Sequence, residues 1–220
     1  MNKFASEFIG TFALVFAGCG AIMTNVMSDG ALGHSGVALT FGLVVMAMIY
    51  AVGDISGAHF NPAVTLGFWL ARRFPGREVT PFVLSQLAGA AAAAGMLKLL
   101  FGDIAKLGST LPSGPVEQSF GLEVLLTAGL VFVILSVAIG SKETGILAGV
   151  AIGGTVAMEA MFGGPISGAS MNPARSLGPA LVSGTFEHQW LYVVAPVLGA
   201  AIGVSGWHLT GGKDRVAPDS

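Results

Sequence analysis

The sequence predicts an all-α integral membrane protein, with six transmembrane helices plus two re-entrant half-helices in an inverted repeat. Three observations predict it. The first is composition: of 220 residues, 53% are apolar and only 10% are charged, and the mean hydropathy is +0.78. The second is a set of six apolar runs, each long enough to cross a bilayer as a helix of about 20 residues. The third is a motif that occurs twice. Ser56-Gly57-Ala58-His59-Phe60-Asn61-Pro62-Ala63 and Ser167-Gly168-Ala169-Ser170-Met171-Asn172-Pro173-Ala174 both read S-G-A-x-x-N-P-A, and both continue to a Leu-Gly pair, Leu66-Gly67 and Leu177-Gly178.

The runs fall near 4–27, 35–53, 80–101, 119–140, 146–164 and 188–209. Two further apolar pieces, 61–71 and 172–183, are too short to span. At about 1.5 Å rise per residue each crosses roughly half of a ~30 Å hydrocarbon core. Glycine contributes 33 residues, about twice its ordinary share, as in helices that pack closely in lipid. The first run continues into the repeat, so it is not read as a cleavable signal. The single cysteine, Cys19, lies in an apolar run and is read as packing.

Basic residues orient the chain. Lys3, Arg72, Arg73, Arg77, Lys142, Lys213 and Arg215 flank the even-numbered connections and the termini, while the odd connections hold only Lys106. The positive-inside bias places both termini in the cytoplasm of an inner (plasma) membrane protein. Connection 102–118 is then an external loop joining two halves, about 1–101 and 119–210, of one domain spanning 1–220, and 211–220 is a polar cytoplasmic tail. The first and fourth runs share Glu-x-x-x-Thr, as Glu7/Thr11 and Glu123/Thr127. Each half holds three spans, an odd number, so the second half is inverted. Broken helices in such repeats mark the binding pathway.

Pro62 and Pro173 suit a first helical turn, and Asn61 and Asn172 suit the N-cap before it. This assignment leaves each amide NH₂ facing the path. The preceding segments 56–60 and 167–171 are expected to be non-helical. Backbone of that kind at membrane depth lines a wet cavity or is buried in protein, so the carbonyls of Gly57, Ala58, His59, Gly168, Ala169 and Ser170 are expected along the path. The two half-helices bring their N-termini together, each carrying roughly half a positive charge, which disfavours cations and favours neutral hydrogen-bonding solutes. Arg175 lies on the same face as Asn172, about 4.5 Å further out. A guanidinium inside a membrane points to function.

Taken together, these residues resemble the aquaporin (major intrinsic protein) family. The similarity covers nearly the whole chain, and the short termini look like those of bacterial or archaeal members. The resemblance implies a right-handed helical bundle in the bilayer, a homotetramer with one pore per subunit, and passive flow of water and small uncharged solutes without protons or ions. Asn61, Pro62, Ala63, Asn172, Pro173 and Ala174 would form the pore centre. Phe41, Ala160, Ala169 and Arg175 would form the outer filter, and Glu7 and Glu123 would support the loops. Strict water channels carry His at the position of Ala160 and often Thr or Cys at that of Ala169. The two alanines imply a wider, less polar constriction. Ser176 after the arginine instead matches water channels, and Gly164 to Ala180 resembles the nodulin-26-like branch, which passes water, glycerol and neutral metalloid hydroxides. Both selectivities stay open.

Other residues receive plainer roles. Glu159 is expected to bond loop 165–171, with polarity or Arg175 orientation near the filter as the alternative. His59 is read as pore lining, with a pH gate as the alternative. His34, His188 and His208 are read as interfacial. No metal-ligand spacing, phosphate loop or catalytic constellation occurs, so no metal, cofactor, nucleic-acid partner or enzymatic activity is expected. An ion-coupled secondary transporter is the remaining rival, since inverted repeats serve that class too.

Overall fold

The computed structural model describes residues 2–139 and 146–212. Lys142, Lys213, Arg215 and the end of the tail lie outside the described residues. The six long helices are α1 (Lys3–Met27), α2 (Gly33–Ser56), α4 (Gly76–Phe101), α5 (Val116–Ala138), α6 (Ala148–Ser167) and α8 (Leu191–Leu209). All six are long and apolar enough to cross a membrane. The short helices are α3 (Pro62–Leu70) and α7 (Pro173–Ser183). Large apolar side chains such as Leu99, Leu125 and Leu209 are exposed on the outside, where lipid rather than water would cover them.

The packing repeats between halves. Helix α1 lies on α4 and α2 as α5 lies on α8 and α6. Each short helix packs on the last span of the opposite half, α7 on α4 and α3 on α8. The seam between halves is α2 against α6. Glycine permits these approaches. A Cβ on Gly42 would fall 2.4 Å from the Gly153 carbonyl oxygen, one on Gly89 2.3 Å from that of Phe8, and one on Gly199 2.4 Å from that of Val124. Lipid tails give no hydrophobic drive for helix association, so such backbone-to-backbone contact supplies much of the attraction.

Three boundaries depart from expectation for physical reasons. Helix α4 starts at Gly76 rather than 80 and carries Pro81 as its sixth residue, which leaves the Arg77 carbonyl without its ordinary helical donor. Helices α2 and α6 run on to Ser56 and Ser167, so the first residue of each motif is helical. In α6 this extension passes through Pro165, and it requires another donor for the carbonyl that the proline cannot serve.

The glycine contacts yield a paired test. Gly42→Ala should lower stability by about 2 kcal/mol, because the backbone facing it cannot retreat. Gly95→Ala, whose Cβ would meet nothing within 4 Å, should be neutral. Thermal unfolding of both variants in detergent checks this, and equal behaviour would contradict the close-packing account.

Candidate functional site: the paired loops and the path between them

Each motif ends its long helix at a left-handed glycine, Gly57 (φ 86°) and Gly168 (φ 85°). The chain then stays partly left-handed at Ala58 (φ 52°) and Phe60 (φ 50°), and at Ala169 (φ 41°) and Met171 (φ 54°). Non-glycine residues there cost of order 1 kcal/mol or more each. Something must hold them, and two buried carboxylates do. Glu7 Oε1 accepts from Ser56 Oγ at 2.7 Å and His59 N at 3.0 Å, and its Oε2 from Phe60 N at 2.8 Å. Glu123 Oε1 accepts from Ser167 Oγ at 2.7 Å and Ser170 N at 2.8 Å, and its Oε2 from Met171 N at 2.7 Å. The serines in turn accept from Ala58 N and Ala169 N, both at 3.1 Å. The backbone N–H groups of both loops are thereby satisfied without water.

The two halves differ in how this grip is braced. Gln86 Nε2 donates to Glu7 at 2.7 Å and to Thr65 Oγ1 at 3.0 Å. Thr65 also donates to the Asn61 carbonyl and faces His59 Nδ1 at 3.1 Å. The His59 ring stacks on Phe68, centroids 4.6 Å apart and nearly parallel. In the second loop the place of His59 is taken by Ser170, which donates to the Asn172 carbonyl and adjoins Ser176 Oγ. Tyr192 Oη donates to Ser167 O at 2.6 Å.

The asparagines cap as expected. Asn61 Oδ1 accepts from Ala63 N at 2.8 Å, and Asn172 Oδ1 from Ala174 N at 2.9 Å and Arg175 N at 3.2 Å. Their NH₂ groups are not wholly left for the path. Asn61 Nδ2 donates to Met171 O at 2.8 Å, and Asn172 Nδ2 to Phe60 O at 2.9 Å. Each amide has two N–H donors, so one pins the opposite loop and one remains. This corrects the sequence reading, which could not see that the residue before each asparagine presents its carbonyl to the other. The reciprocal bonds bring the N-termini of α3 and α7 together.

Arg175 is buried, at 3% exposure. Its Nη1 donates to Gly108 O at 2.8 Å, its guanidinium lies 5.0 Å from the Phe41 ring centroid, and Nε has no partner among the described residues. No ion pair joins it to Glu159 among the described residues. Gly108 closes a left-handed turn in which Ala105, Lys106 and Leu107 all have φ near 50°. A Cβ on Gly108 would come within 2.9 Å of Cys19 Cβ, so Cys19 serves as the floor beneath that turn. The outer connection is fastened further by Thr110 Oγ1 donating to Ser176 Oγ at 2.8 Å and by Gln189 Nε2 donating to Thr110 O at 2.9 Å.

Glu159 does not bond loop 165–171 as expected. The loop's donors are taken by Glu123 and Ser167, and Glu159 Oε2 has no partner among the described residues. Its Oε1 instead occupies the space over Gly129, 2.7 Å from where a Cβ would sit. His34, exposed in the first turn of α2, reaches two carbonyls of α6 with its Nε2. Among the described residues no three His, Cys, Asp or Glu side chains converge as a metal site.

Two cavities lie along the axis between the halves. The inner one, about 590 Å³, is lined by the polar His59, Asn61, Asn172 and Ser170 and by the apolar Leu14, Val45, Leu130, Ile134, Ile152 and Val156. The outer one, about 260 Å³, is bordered by Asn25, His34, Ser109 and Thr110. The residues common to both are Phe41, Ala160, Ala169 and Arg175. The four positions singled out from sequence therefore converge where one cavity gives way to the other. Gly57, Ala58, His59, Ala169 and Ser170 border the inner cavity, and Gly168 the outer.

A membrane-embedded helical bundle with paired half-helices and a polar strip in an apolar passage defines a channel-type protein. The chain belongs to the major intrinsic protein family, whose model matches residues 1–207. It is 49% identical to aquaporin NIP1-1 of Zea mays over 210 residues, 95% of this chain and 74% of that one. It is 43% identical to nodulin-26 of Glycine max over 216 residues, 98% of this chain and 80% of that one. Among solved structures it is similar to the aquaglyceroporin from Plasmodium falciparum, with a TM-score of 0.80 and 26% identity, covering 93% of this chain and 94% of that one.

The carboxylate grip predicts a graded response. Glu7→Leu strands the His59 and Phe60 N–H groups and should cost about 4 kcal/mol, or roughly 10 °C in Tm. Glu7→Gln keeps an acceptor and should cost less. Thermal unfolding measures both, and equal losses would show that the side chain only fills space.

Proposed function

We propose that this chain, a channel for water and small uncharged solutes, selects among them at the ring of Phe41, Ala160, Ala169 and Arg175. The observation that carries the reading is that, among the described residues, these four alone border both cavities. Arg175 supplies a fixed cation with donors, Phe41 an apolar wall, and the two alanines neither bulk nor polarity. Channel selectivity of this kind depends on pore width, lining donors and electrostatic barriers. A glycerol-sized or metalloid-hydroxide-sized neutral molecule finds room beside the alanines. A cation meets Arg175 and then two helix N-termini, each worth roughly half a positive charge.

The inner passage is read as single file. The remaining N–H of Asn61 and of Asn172 orients the permeant at the centre, next to Pro62, Ala63, Pro173 and Ala174. The carbonyls of residues 57–59 and 168–170 offer successive acceptors. Flow is passive and the protein carries out no catalysis. The inverted halves about 1–101 and 119–210 act as one channel domain. Four copies, each with its own pore, are the proposed assembly in the plasma membrane. The exposed Arg72, Arg73 and Arg77 support placing their connection and both termini in the cytoplasm.

Stopped-flow shrinkage and re-swelling of proteoliposomes should show water, glycerol and an uncharged metalloid acid all entering faster than through empty liposomes. Water entry at the empty-liposome level by folded protein would contradict the channel. The double variant Ala160→His, Ala169→Thr should lower glycerol flux by about tenfold and water flux by less, since added bulk and polarity cost a larger solute more. Equal loss of both would contradict the assignment of the ring.

A further inference from the structure

The carbonyl left over by Pro165 has a specific partner. Proline has no N–H, so the carbonyl of Met161, four residues earlier in α6, loses its ordinary helical donor. His34, in the first turn of α2, supplies a replacement. Its Nε2 lies 2.8 Å from Met161 O and 3.1 Å from Ala160 O. Both partners are acceptors only, so Nε2 carries the hydrogen. The ring sits over Gly164, where a Cβ would meet His34 Cε1 at 2.5 Å. Proline, glycine and histidine thus form one device across the α2–α6 seam. It ends at the carbonyl of a ring residue, Ala160, and both His34 and Gly164 border the outer cavity.

The neighbouring carbonyls show why this one matters. At the same helix end, Ser113 Oγ donates to Pro165 O at 2.7 Å and to Ile166 O at 2.9 Å, and Tyr192 Oη donates to Ser167 O. These acceptors are occupied by the outer connection and by α8. The Met161 carbonyl is left only the His34 side chain, which borders the outer cavity, whereas Ala160 O also keeps the helical N–H of Gly164. Ala160 has no side-chain bulk to shield the site.

We propose that His34 is a specificity-determining positioning residue of the outer constriction, whose ring withholds the Met161 carbonyl from permeating solutes and narrows the approach above Gly164. This rests on the reading of the four-residue ring as the selective site. With the ring removed, the Met161 acceptor and the space above Gly164 open to a polyhydroxylated solute. Water gains little from the same change, because its single oxygen already passes the constriction. His34 therefore sets the ratio of polyol to water flux rather than the capacity to conduct.

The experiment compares glycerol and water permeability of proteoliposomes holding wild type, His34→Ala, His34→Leu, His34→Gln and the double variant His34→Ala, Pro165→Ala. One newly offered acceptor is worth about 1 kcal/mol, a factor of roughly five, so H34A should raise the glycerol-to-water ratio about fivefold. H34L donates nothing and should raise it too, which keeps the test intact if H34A does not fold. H34Q retains a donor and should stay near wild type. Pro165→Ala restores a helical N–H for Met161 O, so the double variant should fall back toward wild type. A merely structural histidine would change yield or Tm without moving the ratio. Unchanged ratios in H34A and H34L, or a double variant no different from H34A, would overturn the proposal. A wild type that conducts and whose ratio responds to Ala160→His but not to His34→Ala overturns this inference alone. A folded wild type without flux overturns the channel reading and this one with it.

Discussion

Everything in this molecule depends on how unpaired backbone is satisfied at membrane depth. Two segments leave the helix in the middle of the bundle, and hydrocarbon has no hydrogen bonds to offer them. Glu7 and Glu123 solve this with the same geometry, one oxygen gripping a serine hydroxyl and an N–H and the other the next N–H. Once the N–H groups point at a carboxylate behind the loop, the left-handed residues Ala58, Phe60, Ala169 and Met171 are held in place. The remaining polar atoms can then face the passage. A buried carboxylate would be costly without such donors, and here the donors need the carboxylate as much as it needs them.

The asparagine pair then ties the two halves to each other. Each amide caps its own helix, donates once to the other loop, and keeps one N–H. A change at either asparagine therefore moves both loops, so the centre behaves as one unit. Arg175 is fixed by a different strategy. It leans on a carbonyl from a strained outer turn and on the Phe41 ring rather than on an acid. A carboxylate partner would neutralise it, whereas a carbonyl holds it and leaves its charge, which suits the proposed role as a barrier to cations.

Much of this was legible in the sequence, for identifiable reasons. Long apolar runs report helices crossing lipid, and the doubled S-G-A-x-x-N-P-A with the doubled Glu-x-x-x-Thr reports both the repeat and its inversion. Family resemblance directed attention to Phe41, Ala160 and Ala169, which periodicity alone does not distinguish. What escaped was the long-range partner of each polar group. Gly108 lies in a connection whose left-handed turn no residue but its last glycine announces. Gln86 lies in α4, and its counterpart span α8 holds no glutamine. The sequence reading ended the fifth run near 164, whereas α6 continues through Pro165 to Ser167 with His34 at the Met161 carbonyl that the proline cannot serve. Pro165 near a helix end was a usable signal that some donor must come from elsewhere, although it did not say from where. Glu159 was misplaced because the donors it was expected to bond were already committed to Glu123.

The central claim is that two opposed helix N-termini and an unneutralised Arg175 let neutral molecules pass while stopping charge, protons included. Its most direct measurement is water and proton flux in the same proteoliposomes, with a potassium diffusion potential driving protons and an internal dye reporting pH. The account predicts water flux well above empty liposomes, with proton flux unchanged as protein density increases. Proton flux rising in proportion to protein, at a density where water flux also rises, would contradict it.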